Sequence, residues 1–159
     1  MKDLTQYAVS KMVNAKPMTR GEYNKFREWE LPANENGDDE GYLVIRQREG
    51  DDHMAWIPKA IFEEEAINCS DGMPFSVALE QVLNHGARAT RKGWIGKKMF
   101  IFLVPGSEFE VNREPLLSIL GEGTKVKYHG HIDMKTATGE IVPWLASQAD
   151  LQATDWTFV

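Results

Sequence analysis

Apolar and polar residues alternate most regularly over residues 124–136. Val126, Tyr128, Ile132 and Met134 fall on one face; Lys125, Lys127, His129, His131, Asp133 and Lys135 fall on the other. A period of two over a dozen residues predicts an antiparallel strand with a core face and a solvated face. The apolar run 99–104 predicts a buried strand over 98–104. Ahead of it, Pro74 opens a helix whose stripe is Phe75, Ala78, Leu79, Val82 and Leu83, closed by Gly86 as a left-handed cap. Beyond it, a short strand is expected over 109–111 and a single helical turn over 115–120. A return strand follows over 141–144, where Pro143 favours an edge, then a short helix over 145–151 and a last strand over 155–159.

The first part of the chain predicts different elements. Residues 9–16 read as an extended lead-in ended by Pro17. Thr19 and Glu22 have capping-box spacing, which predicts a helix over 20–29 with Tyr23, Phe26 and Trp29 on one face. Residues 42–45 and 54–56 read as a hairpin around the polar turn 49–52, and Pro58 starts a helix turning Ile61, Phe62 and Ala66 inwards. The expected class is α+β in two small units. Residues 1–68 form a strand–helix–hairpin–helix unit, and 69–159 form an antiparallel sheet with one main helix.

Charge sharpens this division. Residues 1–72 carry nine basic against fifteen acidic residues, a net of −6, whereas residues 73–159 carry nine of each. Neither half has the basic excess of a duplex nucleic-acid binder. Residues 81–107 nevertheless hold Arg88, Arg91, Lys92, Lys97 and Lys98 without a single acid, which suits capture of a small anion. No long apolar span or apolar N-terminal segment is present, so a cytoplasmic, non-membrane protein is expected. Cys69 is the one cysteine and reads as a structural thiol.

Candidate chemistry is sparse. The acidic loop 34–41 lacks calcium-loop spacing, and glycine-rich phosphate loops and the Gly-x-Ser-x-Gly elbow are missing. His129, His131 and Asp133 on one strand face raise the alternative of a metal-dependent phosphodiesterase, against the plainer reading of a solvated face. A further alternative is a non-catalytic accessory protein whose basic face docks a protein partner. No cofactor is expected. Arginine and lysine suit phosphate oxygens, and Trp94, between Gly93 and Gly96, is the tryptophan best placed to offer a face to a base.

Phe75, Leu79, Gly86, Arg91, Gly93, Trp94, Gly96 and Lys97, then Met134-Lys-Thr-Ala137, Gly139, Val142-Pro-Trp144, Ala146-Ser-Gln148, Asp150 and Asp155-Trp156 follow one pattern. Through these residues the chain from 73 to 159 resembles the second type of Thoeris anti-defence "sponge", a phage and bacterial family. The resemblance implies a protein that binds a cyclic ADP-ribose isomer or a cyclic dinucleotide, and holds it without cleavage. It also implies a homotetramer, a dimer of dimers, with ligand pockets between subunits, in the host cytoplasm. On this reading Arg91 and Lys135 meet phosphates, aided by His129 and His131. Trp94 or Trp144 stacks the base, and Ser147 and Asp150 hold ribose. Members often carry Asn where this chain has Ile95. The first unit resembles a small phage domain through Pro17-Met-Thr-Arg-Gly-Glu-Tyr23, Asp39-Glu-Gly-Tyr-Leu-Val44 and Trp56-Ile-Pro-Lys59, and that resemblance implies no activity.

Overall fold

A computed structural model describes residues 11–47 and 50–159. The chain divides into two compact units, Met1–Ile67 and Asn68–Val159, and the fold is α+β.

The first unit is a three-stranded antiparallel sheet in the order β1 (Asn14–Pro17), β2 (Gly41–Arg46), β3 (His53–Pro58). Helix α1 (Arg20–Phe26) connects β1 to β2, and α2 (Lys59–Glu65) follows β3. Tyr23, Leu43 and Val44 are its buried apolar residues. Residues 9 and 10 of the expected lead-in, and Glu49 of the expected turn, lie outside the described residues. The capping box forms, with the Glu22 N–H donating to the Thr19 hydroxyl and the Thr19 N–H to the Glu22 carboxylate. Helix α1 stops three residues earlier than expected because Glu28 takes a left-handed φ of 57° and the Trp29 N–H turns back to the Asn24 carbonyl. In α2, Phe62 stacks on Tyr42 at 4.4 Å, whereas Ile61, expected to face inwards, is exposed. Gly41 is required by its surroundings: a Cβ there would sit 2.4 Å from the Trp56 ring.

The second unit is a five-stranded antiparallel sheet covered on one face by α3 (Phe75–His85). Its strand order is β10 (Trp156–Phe158), β4 (Ala89–Arg91), β5 (Phe100–Val104), β8 (His131–Lys135), β9 (Ile141–Pro143). Met73, Phe75, Ala78, Val82, Ala89, Ile101 and Trp156 are buried between helix and sheet. Gly86 ends α3 with φ 66°, as its position predicts. Leu83, expected in the apolar stripe, is exposed at the helix rim. The basic stretch folds as β4 followed by a tight helical turn over Lys92–Lys97.

The regular alternating segment is divided between two sheets. Residues Lys125–Tyr128 form β7, which pairs with β6 (Ser107–Glu110) in a two-stranded arm, while His131–Lys135 form β8 in the main sheet. The register nonetheless runs on unbroken, from Phe100↔Lys135 through Val104↔His131 to Ser107↔Tyr128 and Glu110↔Lys125. The break is therefore a kink in one long hairpin, with no slip between its strands. Gly106 and Gly130 meet at the kink, where a Cβ on Gly106 would lie 2.9 Å from the Tyr128 carbonyl oxygen. His129 falls at this break, between the two strands. Two further expectations reverse: Tyr128 is exposed, and Asp133, expected in solvent, is buried. At the far end of the arm lies α4 (Leu116–Leu120).

Candidate functional site

The motif residues converge around Trp156, which is fully buried. The Trp94 ring meets it edge-on at 5.4 Å and 80°, and the Trp144 ring at 6.1 Å and 79°. Phe75 from α3 touches both Trp144 and Trp156, at 5.8 and 5.2 Å. Edge-to-face contacts of this kind hold rings in fixed orientations. Trp94 and Trp144 are each only partly buried, so both keep some surface beside a rigid centre.

Polar groups fix the frame around these rings. Arg91, at the end of β4, donates from Nε to Asp155 Oδ1 at 2.9 Å and from Nη1 to Asp150 Oδ1 at 3.1 Å. Its guanidinium is held further above its ordinary range by the hydrogen bond to Asp155, against the opposing effect of burial. Ser147 caps α5 (Gln148–Leu151), its hydroxyl donating to Asp150 Oδ2 at 2.7 Å and accepting from the Asp150 N–H. Burial, the largest single influence on Asp150, pushes its carboxyl up. The Ser147 hydroxyl and N–H, with the Arg91 guanidinium, outweigh it and hold the carboxyl below its usual value. The Trp156 indole N–H closes the circuit on the Asp150 carbonyl at 3.1 Å.

Five of the eight expected site residues (Arg91, Trp94, Trp144, Ser147 and Asp150) are thus brought together. The other three are not with them. Strand alternation assigns Ile132 and Met134 to the core side, where both pack on the buried cluster, so His131 and Lys135 occupy the opposite face of the sheet. His129 lies in the kink beside that face. Lys135 Nζ donates to the Lys98 carbonyl at 3.2 Å, and His131 Nδ1 lies 3.2 Å from the His129 carbonyl. Among the described residues, no group of three or more His, Cys, Asp or Glu side chains could hold a metal ion.

Sequence reading missed Asp155 as the second acceptor for Arg91, because an acid beside a tryptophan in a terminal strand carries no spacing signal of its own. It also missed the burial of Asp133. Open grooves of about 560 and 270 Å³ lie in the first unit and share Glu40, Lys59 and Glu63. Their carboxylates are already engaged: Glu40 with Lys59 at 2.8 Å and Glu63 with the Tyr42 hydroxyl at 2.8 Å.

No helix of the described residues is long and apolar enough to cross a membrane. A curated relative, "Thoeris anti-defense 2" of Bacillus phage SP01, is 37% identical over 92 residues, covering 55% of this chain and 94% of its own length. The profile of the Thoeris anti-defense 2-like domain matches residues 73–159, the span that contains the tryptophan cluster and its Arg91–Asp150–Asp155 frame. The chain belongs, through its second unit, to the Thoeris anti-defense 2-like family.

Proposed function

We propose that the second unit binds a cyclic nucleotide immune signal, a cyclic ADP-ribose isomer or a cyclic dinucleotide, and sequesters it without cleavage. In this way it would inhibit an anti-phage defence in the host cytoplasm. The observation that carries this reading is the pair of partly exposed rings, Trp94 and Trp144, set at fixed angles on Trp156 within the family-matched span. A purine base needs a flat apolar face, and a rigid one loses little freedom on binding.

The roles within the site follow from what is already engaged. Arg91 carries two carboxylates, so its cluster has a net charge of −1 and repels a phosphate. Its part is to hold Asp150 and Ser147 in place. Each of those two keeps lone pairs free to accept ribose hydroxyls. Phosphate falls to cations without a carboxylate partner among the described residues, such as Lys97, Lys98 and Lys135. His129 and His131 lie further along the same hairpin and offer ring nitrogens there.

This division also favours assembly. One copy presents its tryptophans on the helix side of the sheet and Lys135 with His131 on the other side. Within one copy a ligand on Trp94 can meet Lys97 and Lys98 of the same turn, but it cannot also reach His131 through the sheet. A second copy supplies the missing wall, and a closed symmetric arrangement, a dimer or dimer of dimers, is the ordinary way to do so. The test is to incubate the protein with cyclic ADP-ribose isomers and cyclic dinucleotides, follow its mass by light scattering, then denature it by heat. Intact ligand should be released from an oligomer. Recovery of cleaved product alone would instead support an enzyme, and tight binding by a strict monomer would remove the assembly.

A further inference from the structure

The face of the second unit's sheet that turns away from α3 contains an anomaly. Asp133, in the middle of β8, is only 9% exposed, and its Oδ1 has no hydrogen-bond partner. His131 Nε2 lies 3.4 Å from it. That separation exceeds an ordinary N–H···O bond. His131 Nδ1 lies 3.2 Å from the His129 carbonyl, which can only accept, so Nδ1 carries the proton. Among the described residues Asp133 Oδ1 has this long contact with Nε2 and no hydrogen bond. A buried carboxylate oxygen without a hydrogen bond is costly, so a donor from outside the unit would gain what the fold leaves unmade.

The surroundings indicate what kind of donor would fit. Phe102 is the register partner of Asp133 on β5, and Phe100 that of Lys135. Their rings lie 5.8 Å apart on the same face, with the Arg88 guanidinium 5.5 Å above Phe100. Aromatic walls, a carboxylate oxygen without a hydrogen bond, Lys135 on the same strand and Arg88 over Phe100 suit a flat heterocycle that carries both an N–H edge and a phosphate. We propose that Asp133 is the specificity-determining group of the ligand site, accepting an exocyclic amino or amidinium N–H of a purine base laid against Phe100 and Phe102. This rests on the cyclic-nucleotide reading above, and it assigns the second wall of the site to this face.

The probes are cyclic ADP-ribose, whose base bears nitrogen at the six position, and its hypoxanthine analogue, which bears oxygen there. By titration calorimetry the unaltered protein should bind the first about tenfold or more tightly than the second, the scale of a lost charge-assisted hydrogen bond. Asp133→Asn should erase that preference, leaving the two within about twofold. The ligand-free variant should also melt at the same temperature or a few degrees higher, because a buried charge has been removed. A variant that keeps the full preference would overturn the assignment to Asp133 and leave sequestration standing. So would one that keeps neither fold nor binding, since the carboxylate would then be structural. A shift in oligomer mass with the preference intact would make the missing donor a cation of a second copy. Binding of neither probe by the unaltered protein would overturn this proposal, and only a failure to bind the other cyclic ADP-ribose isomers and the cyclic dinucleotides as well would overturn the reading on which it rests.

Discussion

Two helices of this molecule begin with the same device and use it differently. At α1, Thr19 and Glu22 satisfy each other's backbone N–H groups and nothing more is attached to them. At α5, Ser147 and Asp150 make the same reciprocal pair. There, however, Asp150 also takes the Arg91 guanidinium from 59 residues away, and its carbonyl takes the Trp156 indole. The first box stabilises one exposed helix end, while the second is a junction that a four-residue helix could not sustain alone. A capping box is a local motif, and its energetic weight depends on what else its side chains hold.

Substitutions that separate the two boxes should rank by how far each effect spreads. Trp156→Ala removes the fully buried ring on which Phe75, Trp94 and Trp144 rest, and should cost the second unit about 3–5 kcal/mol. Chemical denaturation followed by near-ultraviolet circular dichroism reads the loss, and a variant with an unchanged midpoint would show that the cluster is not the centre of the unit. Asp150→Asn comes next, at about 1–3 kcal/mol, because Arg91 loses one of its two charged partners. The same carboxyl gives a pH signature. Its folded value is depressed, so its contribution is complete above the unfolded value of about 3.9 and is lost as pH falls through the lower folded value. Stability measured from pH 6 down to pH 2 should fall more steeply below about pH 4 in the unaltered protein than in Asp150→Asn. Parallel curves would remove Asp150 from the acid response. Thr19→Ala is the smallest change, about 1 kcal/mol on the first unit alone. A loss as large as that of Asp150→Asn would break the comparison.

What could be read in advance follows the same division between local and distant. The Thr19–Glu22 spacing announces α1, and Gly86 announces the end of α3, because each signal lies within a few residues of its effect. The site was legible as a motif, and Trp94, Trp144, Ser147 and Asp150 do come together. Their support by Asp155 and Trp156 was not, since the partners of Arg91 are 59 and 64 residues distant. Alternation marked 125–135 as a strand, which holds for Lys125–Tyr128 and His131–Lys135, and it gave the wrong environment for two residues and missed the break at a third. His129 falls at the glycine kink, Tyr128 is exposed in the two-stranded arm, and Asp133 is covered although charged. Period-two patterning specifies which side of a strand a residue occupies. It does not specify how thickly that side is covered.

The kink at Gly106 and Gly130 has a consequence for how this chain can change length. Since the pairing stays in step on both sides of it, the arm beyond behaves as an extension of the β5–β8 hairpin. Matched insertions or deletions of two residues in β6 and two in β7 would lengthen or shorten the arm while each side chain of the main sheet kept its side. An unmatched single residue there would either form a bulge or reverse every face down to Lys135. Relatives of this chain should therefore differ in the arm by even, paired steps, with the segment from Gly130 to Gly139 constant in length.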